Sequence, residues 1–377
     1  MEFGIGVSKN RDSIKAGKEA VSEALSSIKK PDLIILFAST IFDIEALVSS
    51  VFLASSKAPM IGCTTSGEIK DDILFGSSLV IAVKCENGEG IEARGIEDIY
   101  KNPREAGQGI VSDEYKKGFL LVLSDGLFPQ TSLVVKGIND YLSPCISLGG
   151  ALAGDDLKRN KTYQFLNGKI FTQGLVSAFF KTSARIKTSL RHGFSPKSPP
   201  LRVTSSKENV IYQIDSHRAS KVYLEFLGLS EDELAFGSPI DIKEVRNSPI
   251  GIPQTTGDYK IKSFLEFRKD GSIACDSYIP ENSIIRILGQ NPSSLINAGH
   301  EAISDAISEI HPKIVFLFPS SYRMLILGED AKNEIDEIKK ETKDVPMIGF
   351  YGYGEIGPLR THRSDFHNKS IGVLAIE

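Results

Sequence analysis

The sequence is short of the features that mark specialised classes of protein. Its 377 residues include four cysteines, Cys63, Cys85, Cys145 and Cys275, and no two of them form a CxxC pair. Neither a zinc cluster nor a disulfide scaffold is indicated, and a reducing, cytoplasmic setting is expected. Positive charge is nowhere concentrated: 44 Lys and Arg stand against 48 Asp and Glu, with no basic block. Nucleic acid and an anionic membrane surface are therefore not expected as partners. Long apolar runs are missing. Leu33 to Ala38 and Phe119 to Leu123 are strand-sized, far below the ~20 residues of a membrane span. The start, Met1-Glu2-Phe3-Gly4-Ile5-Gly6, lacks the basic and apolar regions of a signal peptide. The histidines His192, His217, His300, His311, His362 and His367 show no HxxxH or HxH spacing. They read as surface or supporting groups, with His367 beside Asn368 singled out, and no metal or cofactor is expected.

What is present is glycine in particular places. Val345 to Pro358 opens as a short apolar strand and breaks into a turn holding Gly349, Gly352, Gly354 and Gly357, with Tyr351, Tyr353 and Glu355 among them. Such spacing lets a backbone take positive φ and approach another group closely. The same design occurs as Pro59-Met60-Ile61-Gly62-Cys63-Thr64-Thr65-Ser66-Gly67-Glu68, and more loosely from Pro144 through Gly149-Gly150-Ala151-Leu152-Ala153-Gly154 to Asp155. Each version runs from a proline through apolar residues and a small-residue turn to an acid.

Around each turn the order strand, helix, strand, turn, strand repeats. Leu33 to Ala38, a helix from Asp43 to Ser55 and a strand from Ser77 to Cys85 frame the first. Gly118 to Leu123, a helix from Ser132 to Leu142 and a strand from Gly174 to Phe180 frame the second. Ile314 to Phe318, a charged helix from Asp330 to Thr342 with Ile335 and Ile338 inward, and Ser370 to Ile376 frame the third. Independent origin of the three is the competing reading. Between the second and third units lie a Pro/Ser stretch, Gly193 to Pro200, the breakers Pro239, Pro249 and Pro253, and a strand from Ile261 to Phe267 entering a hairpin turn at Asp270-Gly271. The expected fold is α/β (α+β), repeated strand-helix-strand units building mixed sheets flanked by helices. It is divided into domains 1–195 and 196–377.

Cys63, Thr64, Thr65, Ser66 and Glu68 put a thiol, three hydroxyls and a carboxylate beyond a strand end, where α/β proteins bind ligands. The plainer reading is a buried cysteine with hydroxyls serving the turn's own backbone. A nucleophilic thiol needs a nearby base, and none is close in sequence. Asp125 in Ser124-Asp125-Gly126 and Asp155 are acids beside flexible backbone. Arg323 suits a carboxylate ligand or an ion pair with Glu355. Gly352-x-Gly354-x-x-Gly357 has the spacing of a dinucleotide fingerprint but no convincing helix follows.

Together, Gly62 to Glu68, Leu123 to Gly126, Gly149 to Asp155, Gly349 to Pro358, Phe366-His367-Asn368 and Arg323 resemble the FIST (F-box and intracellular signal transduction) family. These are bacterial and archaeal sensory modules with paired N- and C-terminal domains. The resemblance spans nearly the whole chain. It implies a non-enzymatic sensor of an amino acid or similar small polar metabolite, acting on a separate partner such as a histidine kinase or chemoreceptor, since no output domain follows Glu377. Family members often carry a cysteine before the arginine; here Tyr322 stands there. On this reading Glu355 and Arg323 meet the ligand's ammonium and carboxylate, and Cys63 to Ser66 and Tyr353 shape the wall. Glu68, Asp125, Asp155, His367 and Asn368 complete the expected ligand-binding set. The alternative is a hydrolase or transferase using Cys63 or paired acids.

Overall fold

The computed structural model describes residues 1–86, 88–234, 242–360 and 363–377. Pro239 and His362 fall outside these residues. The three repeats fold as expected, each giving two parallel strands joined through a helix, and the third has an additional short helix, Ser321–Leu327, ahead of Ala331–Thr342. The run Leu33–Ala38 is buried throughout, as a strand covered on both faces requires. Asp12 and Asp43 cap the helices Ser13–Ala24 and Ile44–Ala54 by accepting from Lys15 N and Ala46 N.

Each repeat builds a sheet of the same order. In the first, Glu2–Ser8, Ser78–Lys84, Leu33–Ala38 and Met60–Thr64 lie side by side. The second aligns Gly90–Ile96, Leu175–Lys181, Gly118–Ser124 and Ile146–Leu152. The third aligns Ile186–Arg191, Ile371–Ile376, Ile314–Pro319 and Met347–Phe350. The last two strands of each set are parallel and the other pairings antiparallel.

The repeats then exchange hairpins in a ring. The hairpin 68–74 leaves the first repeat and pairs with Met347–Phe350 of the third. The hairpin 164–171 leaves the second and pairs with Met60–Thr64 of the first. The hairpin 355–367 leaves the third and pairs with Ile146–Leu152 of the second. Every parallel pair thus has its open edge covered by a neighbouring repeat.

The inner faces of the three sheets meet in one apolar core, where Phe37, Phe318 and Phe350 pack ring against ring. Helices cover the three outer faces. Residues 195–289 supply a fourth sheet, antiparallel at every pairing among the described residues, with its own core around Tyr223 and Phe264. The Asp270-Gly271 turn joins Phe264–Phe267 to Ile273–Cys275 as expected, and Gly228, with φ 72°, ends the helix Ala219–Leu227. The stretch expected as one strand from Ile261 to Phe267 is instead two, Tyr259–Lys262 and Phe264–Phe267, at opposite ends of that sheet.

Candidate functional site

The three glycine turns come together at one end of the three-sheet body and are tied to one another through backbone. Ser66 N donates to Tyr351 O at 2.9 Å, and Tyr351 N to Gly67 O at 2.8 Å. Gly154 N and Asp156 N donate to Thr64 O and Thr65 O at 2.9 and 3.0 Å. Leu152 N and Tyr353 N bond Gly354 O and Leu152 O at 2.8 and 3.2 Å. A Cβ on Gly154 or Gly352 would lie 2.4 Å from Ser66 Oγ or Leu152 O, so these positions need glycine for contact between turns.

Glu68 and Glu355 each open an exchanged hairpin, and both are fully buried. Glu68 accepts from Thr65 Oγ1, Ser77 Oγ and Ser77 N. Glu355 accepts from Ser370 N at 3.1 Å and from Ser370 Oγ. The second repeat has Gln164 at this place, its Oε1 accepting from Gly174 N at 3.0 Å. The counterpart of the two glutamates is therefore Gln164, not the Asp155 expected from sequence. Burial pushes Glu68 up to about 7 and Glu355 up to about 8, from an ordinary 4.5. Above pH 4.5 the folded protein holds protons that the unfolded chain has released, so stability falls as pH rises toward those values. Glu355→Gln, which copies the second repeat, is expected to leave stability at pH 5 nearly unchanged and to raise it at pH 8. The gain is at least ~1 kcal/mol, since one pKa unit corresponds to about 1.4 kcal/mol. Urea titrations at the two pH values check this; an equal loss at both would show that the carboxylate itself is required.

The other expected residues divide between scaffold and cavity. Cys63 points into the central core with no exposure, and burial, with Glu68 nearby, pushes its thiol well up, away from thiolate. Thr64 Oγ1 accepts from Tyr163 N at 3.0 Å, and Ser66 is buried in the turn. Asp125 accepts from Tyr100 OH, Leu127 N and Thr162 Oγ1 at 2.8, 3.0 and 2.6 Å. Asp155 accepts from Tyr353 OH and from the amides of Arg159, Asn160 and Lys161. His367 is buried and pushed down to about 3 by desolvation, so it is neutral. The ion pair with Glu355, one of the two readings of Arg323, is not formed. Arg323 is fully buried and forms an ion pair with Glu334 of the helix Ala331–Thr342. Its remaining donors go to His192 O, Lys369 O and Leu295 O at 2.9, 3.2 and 2.7 Å, so it presents nothing to a ligand.

Beside the interlocked turns is a cavity of about 210 Å³. It lies between the second and third repeats and the fourth sheet, which contributes Leu265 and Asp276. Of the expected residues, Tyr353 and Asn368 line it. Phe128, Phe366 and Tyr322 add aromatic wall, and Arg159 adds positive charge. The Arg159 guanidinium carbon lies 4.9 Å from the Tyr322 ring centre and 5.6 Å from that of Tyr353, and the guanidinium donates to Tyr322 OH. Its Nε is buried with no hydrogen-bond partner. Asn368 Nδ2 donates to Asp276 Oδ2 at 2.6 Å, while its Oδ1 has no partner. Asp276 also accepts from Ser263 N and Ser277 Oγ at 2.8 and 3.0 Å, and burial pushes its carboxyl up. Behind Tyr322, the buried Lys369 places Nζ 3.9 Å from the ring centre and donates to Arg246 O at 2.9 Å. Burial pushes that amine down to about 7. Arg159, Lys369 and Asp276 were missed in the sequence reading. The Lys158-Arg159-Asn160-Lys161 cluster after a strand end was a signal for the first; nothing local marks Asp276.

Residues 32–217 match the FIST N domain and residues 219–358 the FIST C domain. The chain belongs to the FIST family. FIST domains are regarded as sensory, small-ligand-binding signalling domains. Three similar proteins are described only as uncharacterized. One from Mycobacterium tuberculosis is 22% identical over 376 residues, 97% of each chain. One from Mycobacterium bovis is 21% identical over 368 residues, 95% of each. One from Methanocaldococcus jannaschii is 25% identical over 403 residues, 92% of this chain and 74% of the other. Among solved structures, a cyanuric acid hydrolase from A. caulinodans aligns at TM-score 0.26 and 9% identity, covering 48% of this FIST chain and 72% of the hydrolase. That likeness is too slight to bear on function. No described helix of this FIST chain is long and apolar enough to cross a membrane.

Proposed function

We propose that this chain is a ligand-binding sensor whose site is the cavity at the joined turns. Its ligand would be a small polar metabolite of amino-acid size, because about 210 Å³ is below the ~300–1,000 Å³ of pockets for drug-sized molecules. The observation that carries this reading is convergence. Arg159 Nε and Asn368 Oδ1, both without partners, share an aromatic-walled cavity. The ligand contacts would come from Arg159, Asn368, Tyr353 and Tyr322, with Cys63, Glu68, Arg323 and Glu355 holding the scaffold. A ligand touching both the repeats and Leu265 or Asp276 of the fourth sheet favours whichever arrangement closes around it. The signal would pass to a separate protein, such as a histidine kinase or chemoreceptor, in the cytoplasm, a setting supported by four unpaired cysteines. Binding is favoured over catalysis because the Cys63 thiol is sealed in the core and the Asp125 and Asp155 carboxylates are occupied by internal donors.

Thermal denaturation against a library of small metabolites tests this. A ligand at a hundred times its dissociation constant adds about 2.7 kcal/mol, and Asn368→Leu is expected to abolish most of that gain. No shift with any compound would overturn the reading.

A further inference from the structure

The charges around the cavity are not balanced by the groups that face them. Arg159 and Lys369 flank the Tyr322 ring, and neither has a carboxylate partner within ion-pair distance among the described residues. The acid at the cavity, Asp276, is already taken by three donors. The free acceptor at the site, Asn368 Oδ1, is neutral. Lys369 is buried and Arg159 half-buried; a cation withdrawn from water without a counter-ion is costly, and part of that cost is recovered when an anion arrives. The walls, from Phe128, Leu152, Leu265 and Phe366, favour an apolar body.

We infer that the cavity takes a small carboxylate with an apolar or aromatic body. Its charged end would lie on Arg159, with Lys369 as a second cation behind Tyr322. This rests on the sensor reading and narrows its ligand class. A guanidinium already stacked on two tyrosines is held in place for a carboxylate at its open edge. An amine ligand would meet Arg159, with Lys369 behind Tyr322, one neutral acceptor in Asn368, and an acid, Asp276, whose carboxylate is already held by three internal donors. The groups facing the Lys369 amine are Tyr322, Arg159, the Arg246 carbonyl and guanidinium, and Asp276. Two of these, Arg159 and Arg246, are cations, so a bound carboxylate favours the charged amine and binding takes up a proton near neutral pH. The lowered amine pKa noted above agrees with this.

The test is calorimetric titration of the full chain with 3-phenylpropanoate, L-phenylalanine and 2-phenylethylamine. The three share one body and differ in charge. Titrations run at neutral pH in two buffers of different ionisation enthalpy. The carboxylate is expected to bind at least about tenfold more tightly than the amine, with L-phenylalanine between them and with net proton uptake. Arg159→Gln is expected to weaken the carboxylate by about tenfold or more while the melting curve stays in place. Lys369→Met is expected to remove the proton uptake. If either variant fails to fold, the three wild-type affinities decide. Equal or tighter binding of the amine, or no binding of the carboxylate, overturns this inference. Stabilisation by some neutral or cationic metabolite in the library screen would still leave the sensor reading in place.

Discussion

Arg323→Met is expected to destabilise the protein by about 3–5 kcal/mol, the range for breaking a buried ion pair by removing one partner. The substitution leaves Glu334 charged with no exposure, because Arg323 supplies its ion pair. It also strips donors from His192 O, Lys369 O and Leu295 O, which belong to three different segments. The guanidinium is therefore a rivet as well as a counter-ion. Arg323→Met with Glu334→Leu separates the two roles. Replacing both charges removes the orphaned carboxylate but leaves three carbonyls short of a donor. The double variant should recover only part of the loss, with a remaining deficit of at least ~1 kcal/mol, as unmet buried polar groups cost. Urea titration of the wild type, both single variants and the double variant measures this. Full recovery would mean that the carbonyl contacts contribute nothing. A loss below 1 kcal/mol in Arg323→Met would mean that the pair is open to water.

The framework of the repeats was legible because it is local. A continuous apolar run such as Leu33–Ala38 and helical spacing such as that of Ile335 and Ile338 announce themselves within a few residues. The ring of exchanged hairpins was not legible. Short strands such as Glu68–Lys70 and Glu355–Gly357 carry no mark of which edge they will join. The same limit hid Gln164, because the longer turn of the second repeat moves it away from Gly154 and puts Asp155 where an acid was expected. For the site, the strand-end turns were found and their side-chain duties were not. Thr65, Asp125 and Asp155 have the composition of ligand-binding groups, yet their hydrogen bonds serve neighbouring backbone and side chains of the scaffold. Sequence does not separate these uses, since both need a short polar side chain beside irregular backbone. The Arg323 partner was closer to hand. Glu334 lies four residues before Ile338, on the face already read as inward, and a carboxylate there needed a cation.

Gly349→Ala is expected to cost at least ~4 kcal/mol, at the far end of what single substitutions do. Gly349 has φ 150°, and a Cβ there would lie 1.8 Å from Leu317 O, the backbone of its parallel partner strand. No rotamer relieves a clash with backbone, so relief requires the two strands to part. The equivalent glycines meet the same obstacle, Gly62 at 2.1 Å from Leu36 O and Gly150 at 1.9 Å from Val122 O. The constraint therefore belongs to the repeat, where the same position of each second parallel strand lies against a carbonyl of the first. Gly357→Ala is the control. It is buried too, but the nearest atom to its added methyl is Leu190 Cδ1 at 3.4 Å, a side-chain end that can yield. That variant should stay within about 1 kcal/mol of wild type. Because Met347–Phe350 also receives the hairpin of the first repeat, its displacement uncovers the common core. Gly349→Ala should thus lower the midpoint of a single cooperative transition, seen together by far-ultraviolet dichroism and tyrosine fluorescence. A separate early transition confined to the third repeat would show that the ring of hairpins does not couple the three.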